Sequence, residues 1–363
     1  MSPAERPAFV LGQRPALDGL RGIAILLVLL HHLRLPYPTG GFVGVDVFFV
    51  LSGFLITSLL CEEWTCFGSI SLGQFYQRRA LRLLPALILL LAVILGFDAV
   101  SGGGARLREH GKACLAALLY AMNWLTALEA IPWNPLSHTW SLSSEEQFYL
   151  AWPLLLWGLL ASKAGPKTIL STVLGLVVAL TLYRGVLWSQ THSSVRIYYC
   201  LDTHADGLIT GCLLALLLST GALPERSRLG PAGWPGLLVI LAVASVGKTE
   251  SSALWYGGLT AVNGAAALII ASVLAQPDGT LSQFLQVPPL VWLGRLSYGV
   301  YLWHYPIFLQ VEKTFGSKGR PVAIAVSLAA TAAVASASYV LLERPLLRLK
   351  KHRARDSAKL AKA

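Results

Sequence analysis

Residues 17–32 read LDGLRGIAILLVLLHH, a charged opening followed by an unbroken apolar run and a pair of histidines. Apolar stretches of about 17–25 residues are long enough to cross a bilayer. No small-residue cleavage site follows this run, so we expect it to be a retained helix and not a signal peptide. Similar apolar segments recur along the chain, and we predict them at residues 22–36, 42–61, 83–100, 113–128, 146–163, 168–188, 205–219, 235–247, 256–275, 292–311 and 321–342.

Composition supports the same fold class. Hydrophobic residues make up 55% of the chain, charged residues only 13%, and the mean hydropathy is +0.61. Soluble proteins carry roughly 25% charged residues, and one soluble fold cannot bury this much apolar surface. We therefore predict an all-α, polytopic membrane bundle in which residues 1–348 form one domain. The five cysteines show neither metal-ligand spacing nor a disulfide framework, and we expect no metal or resident cofactor.

The placement of charge predicts the orientation. The net charge is +11, with basic residues near the N-terminus, before the third apolar segment and in the tail at 349–363. Positive residues in short loops stay in the cytoplasm, so we expect both termini inside. An even number of crossings follows, and we predict about ten transmembrane helices and one re-entrant or interfacial segment. Lipid head groups, not nucleic acid, are the expected partners of the basic tail.

Arg21 and His32 lie eleven residues apart on the first predicted helix. Eleven steps of about 100° return the side chain to within about 20° of its starting direction, roughly 16 Å along the axis. The two side chains therefore share a face. Arginine binds phosphate or carboxylate, and histidine can take a proton from a hydroxyl. The alternative is structural: Arg21 extends to the head groups, and His32 caps the outer end.

The second apolar segment carries Asp46 and, six residues later, Ser52. A carboxylate inside an apolar run needs a partner. The short turn between the first two segments predicts that Asp46 lies beside His32 and orients its imidazole. The alternative is that Asp46 pairs with an arginine for purely structural reasons. Ser52 is one candidate nucleophile for a two-step reaction, and Ser141 is another.

Arg79 and Arg82 are three residues apart at the predicted cytoplasmic boundary, so they share a helix face. Such a pair can hold the phosphates of a nucleotide-bearing donor such as coenzyme A. The alternative is an ordinary positive anchor.

The stretch from His138 to Tyr149 reads HTWSLSSEEQFY and leads directly into an apolar segment. Ser143 or Ser144 is predicted to cap the next helix, with acidic residues in its first turn. Capping explains one glutamate but not the whole cluster. We therefore expect Glu145 or Glu146 to assist His32 and the neighbouring polar residues to contact substrate. The full set of expected substrate contacts is Asp18, Ser52, His138, Trp140, Ser141, Tyr149, Asp206, Tyr298 and His304.

The order of these clusters resembles the acyltransferase 3 family of membrane O-acyltransferases. The matching motifs are Leu17–Arg21 with the Arg21 to His32 spacing, Gly44–Gly53, Arg79 to Arg82 before Pro85, His138–Tyr149, Asp202–Asp206, Ser297–Pro306 and Glu343–Pro345. The resemblance implies a bundle of about ten helices and a cytoplasmic acyl-CoA donor. It also implies His32 as the catalyst, Arg21 as its companion, and Arg79 and Arg82 in donor handling.

Family acceptors are chiefly carbohydrates, so the resemblance implies transfer of an acyl group, expected to be acetyl, to a glycan hydroxyl at a bacterial inner membrane. Many members carry a C-terminal esterase-like domain, whereas this sequence ends after its basic tail. We expect either direct transfer by the membrane domain or completion by a separate extracytoplasmic transferase. The rival hypothesis is a secondary transporter or flippase whose intramembrane charges form a substrate pathway. Such proteins often contain two similar halves, which this sequence does not show.

Overall fold

The computed structural model describes residues 11–101, 103–162, 164–223, 226–316 and 320–345. Within these ranges the chain is helical and contains no strand, which confirms the all-α prediction. The helices are α1 (Pro15–His32), α2 (Gly44–Phe67), α3 (Leu72–Val100), α4 (Gly104–Leu118), α5 (Met122–Ala127), α6 (Trp140–Ala161), α7 (Pro166–Thr191), α8 (Ser194–Tyr199), α9 (Leu201–His204), α10 (Asp206–Ser219), α11 (Arg226–Val246), α12 (Leu259–Ala275), α13 (Thr280–Leu285), α14 (Pro288–Phe315) and α15 (Arg320–Ser338).

Seven segments in the described part of the chain are long and apolar enough to cross a membrane. They are Pro15–His32, Gly41–Phe67, Leu72–Val100, Pro166–Thr191, Leu229–Val246, Leu254–Ala275 and Arg320–Glu343. α10 is a shorter apolar helix, and α6 and α14 carry two further predicted segments. Ten crossings and cytoplasmic termini remain predictions. The basic tail at 349–363 lies outside the described residues.

One predicted segment, 113–128, is wrong as a single helix. α4 ends at Leu118 and α5 begins at Met122. Tyr120 between them has a left-handed φ of 52°. The Ala121 N–H donates to the carbonyl of Ala116 at 2.8 Å, the bond that closes a Schellman helix end. Glycine usually occupies the left-handed position, and a tyrosine there gives no sequence signal.

The helices divide between two compact units, each described by itself. The first unit comprises the described residues of Met1–Ile70, Met122–Pro132 and Trp140–Arg295. The second comprises those of Ser71–Ala121, Trp133–Thr139 and Leu296–Ala363.

Glycines permit a close helix crossing in the first unit, between α2 and α10. A methyl group built on Gly53 would overlap the backbone oxygen of Leu208, and one built on Gly211 would overlap that of Val50. Any side chain at either position would force the backbones apart. Gly207, one turn before Gly211, faces the side chain of Phe49 on α2. The Gly207 and Gly211 pair therefore serves the close approach that small-xxx-small spacing favours.

In the second unit, α14 is fixed to α3 by Tyr298, whose hydroxyl donates to the carbonyl of Leu83 at 2.6 Å. A second contact joins α3 to α4, where Nδ1 of the half-buried His110 lies 2.5 Å from Asp98 Oδ2. Asp98 is buried although it lies near the end of an apolar helix. The Tyr298 hydroxyl and the Asp98 carboxylate therefore both hold helices of this unit together.

Candidate functional site

α1 carries both Arg21 and His32, as the spacing predicts. Both side chains are half-buried. His32 Nδ1 lies 2.9 Å from the carbonyl oxygen of Val28, one turn earlier. A carbonyl oxygen only accepts, so Nδ1 carries the hydrogen, and in the neutral ring the lone pair is on Nε2. This tautomer can take a proton at Nε2.

At the other end of α1, Asp18 Oδ2 lies 3.3 Å from Nε of Arg295. The pair is partly exposed, with 30% of the Asp18 side chain and 58% of the Arg295 side chain accessible. An exposed pair of this kind contributes about 0–1 kcal/mol to stability. Asp18, which we expected to contact substrate, thus forms an ion pair with Arg295.

Ser52 and Glu145 come from distant parts of the sequence and meet in the first unit. The Ser52 hydroxyl donates to Glu145 Oε1 at 2.6 Å, and both side chains are half-buried. A short bond from a hydroxyl to a carboxylate is of the strong, charge-assisted kind. The arrangement can orient the hydroxyl or accept its proton.

The predicted cap at the start of α6 is wrong. The helix begins at Trp140, so Ser143 and Ser144 lie inside it. The Ser144 hydroxyl donates to the carbonyl of Trp140 at 3.2 Å. Glu145 and Glu146 therefore lie beyond the first turn, and helix capping does not explain either glutamate.

Asp46 has a different partner from the one expected. Its Oδ1 lies 2.7 Å from Nε2 of His204, at the end of α9, and both side chains are buried. Asp46 therefore pairs with His204 and not, as we predicted, with His32. The reason is topological: His204 directly precedes α10, which packs against α2, and the sequence separation of 158 residues conceals this contact.

Asp206 is equally engaged. Its Oδ1 lies 2.7 Å from Nη1 of Arg184 on α7, and neither side chain has any accessible surface. Asn263 and Thr260 on α12 donate to Oδ2 at 3.1 and 3.3 Å. Asp206, expected to contact substrate, is thus the centre of a buried ion pair. Sequence reasoning missed Arg184, although an arginine inside an apolar segment signals a buried partner.

Aromatic rings surround His204. The Trp140 ring stacks on it, with centroids 5.8 Å apart and planes at 19°. Phe49 meets its edge at 5.4 Å, and Tyr198 lies 4.8 Å away. Trp140 is buried, so its ring packs inside the first unit and is not exposed at a surface. Ser141 and Tyr149 are buried on the same helix.

The second unit contains the two arginines predicted to bind the donor and two histidines predicted to contact substrate. Arg79 is half-buried and Arg82 exposed on α3, and Glu343 interacts electrostatically with Arg82. His138 and His304 are buried with ring centroids 5.4 Å apart. His138 Nε2 lies 3.2 Å from a backbone carbonyl of α14, and His304 Nδ1 lies 2.7 Å from the carbonyl of the residue three positions before it. Backbone carbonyls thus hold both histidines.

Among the described residues, no three His, Cys, Asp or Glu side chains are grouped as metal ligands. The fold and these residues define a multi-pass membrane protein with half-buried acid–base groups beside buried ion pairs. The chain belongs to the acyltransferase domain family, whose model matches residues 14–343. It is an acyltransferase-family protein of the bacterial multi-pass membrane type.

Two relatives are similar over most of the chain. The peptidoglycan O-acetyltransferase OatA of Listeria monocytogenes is 34% identical over 349 residues, which is 92% of this chain and 55% of that protein. The O-acetyltransferase OatA of Staphylococcus aureus is 33% identical over 352 residues, 92% of this chain and 57% of that protein. The chain thus spans about half the length of these relatives. No solved structure matches it significantly.

Proposed function

We propose that this chain transfers an acetyl group to a hydroxyl of a cell-envelope glycan at the bacterial plasma membrane. Membership of the acyltransferase family and the names of the two relatives support this function. The observation that carries the proposal is the fixed orientation of His32, whose Nδ1 is bound to the Val28 carbonyl so that Nε2 is the basic nitrogen.

In the proposed reaction His32 Nε2 removes the proton of the acceptor hydroxyl as its oxygen attacks the carbonyl carbon of the acetyl thioester. The new C–O bond forms, the C–S bond breaks, and the leaving thiolate takes the proton back from His32. General base catalysis of this kind contributes about 10²–10⁴-fold. Arg21, on the same helix face as His32, is its companion and binds an anionic group of a substrate.

The proposed donor is acetyl-CoA. Arg79 and Arg82 share one face of α3, and arginine forms bidentate bonds with phosphate oxygens. Arg82 already interacts with the Glu343 carboxylate, so a phosphate would compete for this cation. We assign the pair to the phosphates of the donor.

A two-step route is the second candidate, favoured by the bond between Ser52 and Glu145. Glu145 would take the hydroxyl proton, the Ser52 oxygen would attack the thioester carbonyl, and the free thiol would leave with that proton. The acceptor hydroxyl would then attack the serine ester and regenerate Ser52. Radiolabelled acetyl groups bound covalently to wild-type protein but not to Ser52→Ala would support this route, and a fully active Ser52→Ala would exclude it.

The main test uses purified full-length protein in nanodiscs with acetyl-CoA and a pool of sugars and lipid-linked glycan precursors. Release of free CoA and labelling of the glycan are both measured. We expect His32→Gln to lower the rate by about 10²-fold or more. The matched control is His192→Asn, because His192 is exposed at the end of α7 with a φ of 48° that asparagine tolerates.

Wild-type activity in His32→Gln would contradict the general-base role. The donor assignment fails if wild-type protein neither binds acetyl-CoA nor releases CoA with any acceptor in the pool.

A further inference from the structure

Both nitrogens of the buried His204 ring are hydrogen-bonded to other protein atoms. Nδ1 lies 2.6 Å from the backbone oxygen of Tyr198, and Nε2 lies 2.7 Å from Asp46 Oδ1. A carbonyl oxygen accepts only, so Nδ1 must donate. One further proton is shared between Nε2 and the Asp46 carboxyl. Wherever that proton resides, the two ring nitrogens are both occupied by protein.

This geometry differs from that of a catalytic dyad. In a Ser-His-Asp triad the carboxylate holds one ring nitrogen and the other faces the reacting group. His204 has no second nitrogen to offer, since Tyr198 holds it, and only 1% of the residue is accessible. Proton exchange with a substrate would require one of these bonds to break inside a closed site.

The surrounding charges are balanced. Asp46 is balanced by the proton it shares with His204, and the adjacent Asp206 is balanced by Arg184. Asp46, Asp206 and Arg184 are fully buried. A buried charge is tolerated when it is paired and hydrogen-bonded. The four side chains join α2, α7, α9 and α10 without a net charge.

His204 lies at the first of three contacts that set the register between α2 and α6. These contacts are Phe49 with Trp140 at 6.1 Å between centroids, Ser52 with Glu145 at 2.6 Å, and Thr57 with Trp152 at 2.8 Å. Residue numbers rise together along both helices, so α2 and α6 run parallel. His204 touches both rings of the first contact, at 5.4 and 5.8 Å. Ser52 follows Phe49 by three residues, about 4.5 Å along the axis.

We propose that Asp46 and His204 form a locked pair that positions the Ser52–Glu145 hydrogen bond and takes no part in proton transfer. Both are positioning residues. The lock is a property of the fold, whereas its kinetic consequence rests on the proposed acetyl transfer by the two-step route, in which Ser52 and Glu145 react.

The first arm of the test needs no activity. Protein labelled with ¹⁵N-histidine is reconstituted in liposomes, and the His204 signals are assigned by their loss in His204→Gln. We expect these signals to stay fixed between about pH 5 and pH 8, where an accessible histidine changes its charge. Signals that move through this range as those of an exposed histidine do would overturn the lock.

The second arm compares Asp46→Asn with Asp46→Ala. An asparagine amide can donate to Nε2 of a neutral His204 ring while Nδ1 still donates to Tyr198, so every hydrogen bond survives. We expect Asp46→Asn to keep kcat within about threefold of wild type with an unchanged pH profile, whereas displacement of the site in Asp46→Ala costs about 10²-fold. The control is Asp202→Asn, which alters the partly exposed pair with Arg196 on the neighbouring segment.

A folded Asp46→Asn that loses about 10⁴-fold, as when the carboxylate beside a catalytic histidine is replaced by an amide, would overturn the proposal. So would an Asp46→Ala with wild-type kcat. If Asp46→Ala does not fold, the kcat of Asp46→Asn and the pH dependence of the His204 signals test the proposal. Coupling is tested with Glu145→Gln, in which Asp46→Ala should have little further effect, because residues acting through one contact are not additive. Wild-type protein without any acetyl transfer would contradict the proposed function and leave the spectroscopic arm decisive.

Discussion

Replacement of Arg184 by methionine should destabilise the protein more than any substitution of an exposed charge. Its guanidinium lies 2.7 Å from Asp206, 2.7 Å from Thr260 Oγ1, and 3.1 and 3.3 Å from the carbonyls of Trp255 and Thr203. Removing one partner of a buried ion pair leaves an uncompensated charge and costs about 3–5 kcal/mol. The carbonyls of Trp255 and Thr203 would lose their hydrogen-bond donor, and each unsatisfied buried carbonyl adds about 1 kcal/mol or more to the loss of stability. We expect Arg184→Met to lose at least 3 kcal/mol.

The assay is unfolding in mixed micelles by increasing SDS, followed by tryptophan fluorescence. The double variant Arg184→Met with Asp206→Leu should recover most of the loss, because an apolar pair of similar volume often replaces a buried ion pair without cost. The matched control is Arg196→Met. Arg196 also forms an ion pair, with Asp202, but the two side chains are 25% and 37% accessible, so its loss should cost about 1 kcal/mol or less.

A free energy of unfolding of Arg184→Met within about 1 kcal/mol of wild type would refute the reasoning. Such a small loss is typical of breaking an exposed ion pair, whereas removing the counter-ion of a buried carboxylate should cost more. A double variant as unstable as the single variant would show that the hydrogen bonds to Trp255 and Thr203, and not the charge, carry the energy.

Two further predictions concern the helix crossing and the donor. Gly211→Ala should destabilise the protein by about 1–3 kcal/mol, the usual cost of overpacking, because the added methyl group meets the backbone of α2. The control is Gly175→Ala, whose added methyl group has no atom within 4 Å. This control should be neutral or stabilising when both variants are unfolded in SDS. Arg79→Gln and Arg82→Gln should each raise the KM for acetyl-CoA with little change in kcat, because a phosphate contact remote from the reacting bond contributes equally to ground and transition states. The first fails if both glycine variants behave alike, and the second if KM is unchanged or only kcat falls.

Local sequence predicts one geometric feature of the candidate site. The spacing of Arg21 and His32 fixes their common face because both lie on one helix. Glu145 and Ser52 were each singled out, but as members of separate motifs. Their meeting depends on the parallel packing of α2 and α6 across a sequence separation of 93 residues, and nothing local encodes that.

The partner of Asp46 illustrates the limit more sharply. A short turn between two helices made His32 the natural neighbour, yet the carboxylate is bonded to His204. An intramembrane charge requires a partner. The sequence therefore predicts that Asp46 is paired, but it does not predict which residue is the partner. Arg184 and Asp206 follow the same rule: each was a charge beside or within an apolar segment, and only packing joined them.

By itself, the sequence determined that this is an all-helical membrane protein and where most of its helices lie, and it singled out the polar side chains that we propose to carry its chemistry. These follow from apolar length and helical period, which are properties of neighbouring residues. The tertiary structure alone decided the break at Tyr120, the pairing of the buried charges, and the register that brings Ser52 to Glu145. The physical reason is that a buried polar group accepts any partner of the right charge and geometry, and the packing of distant helices selects which one it meets.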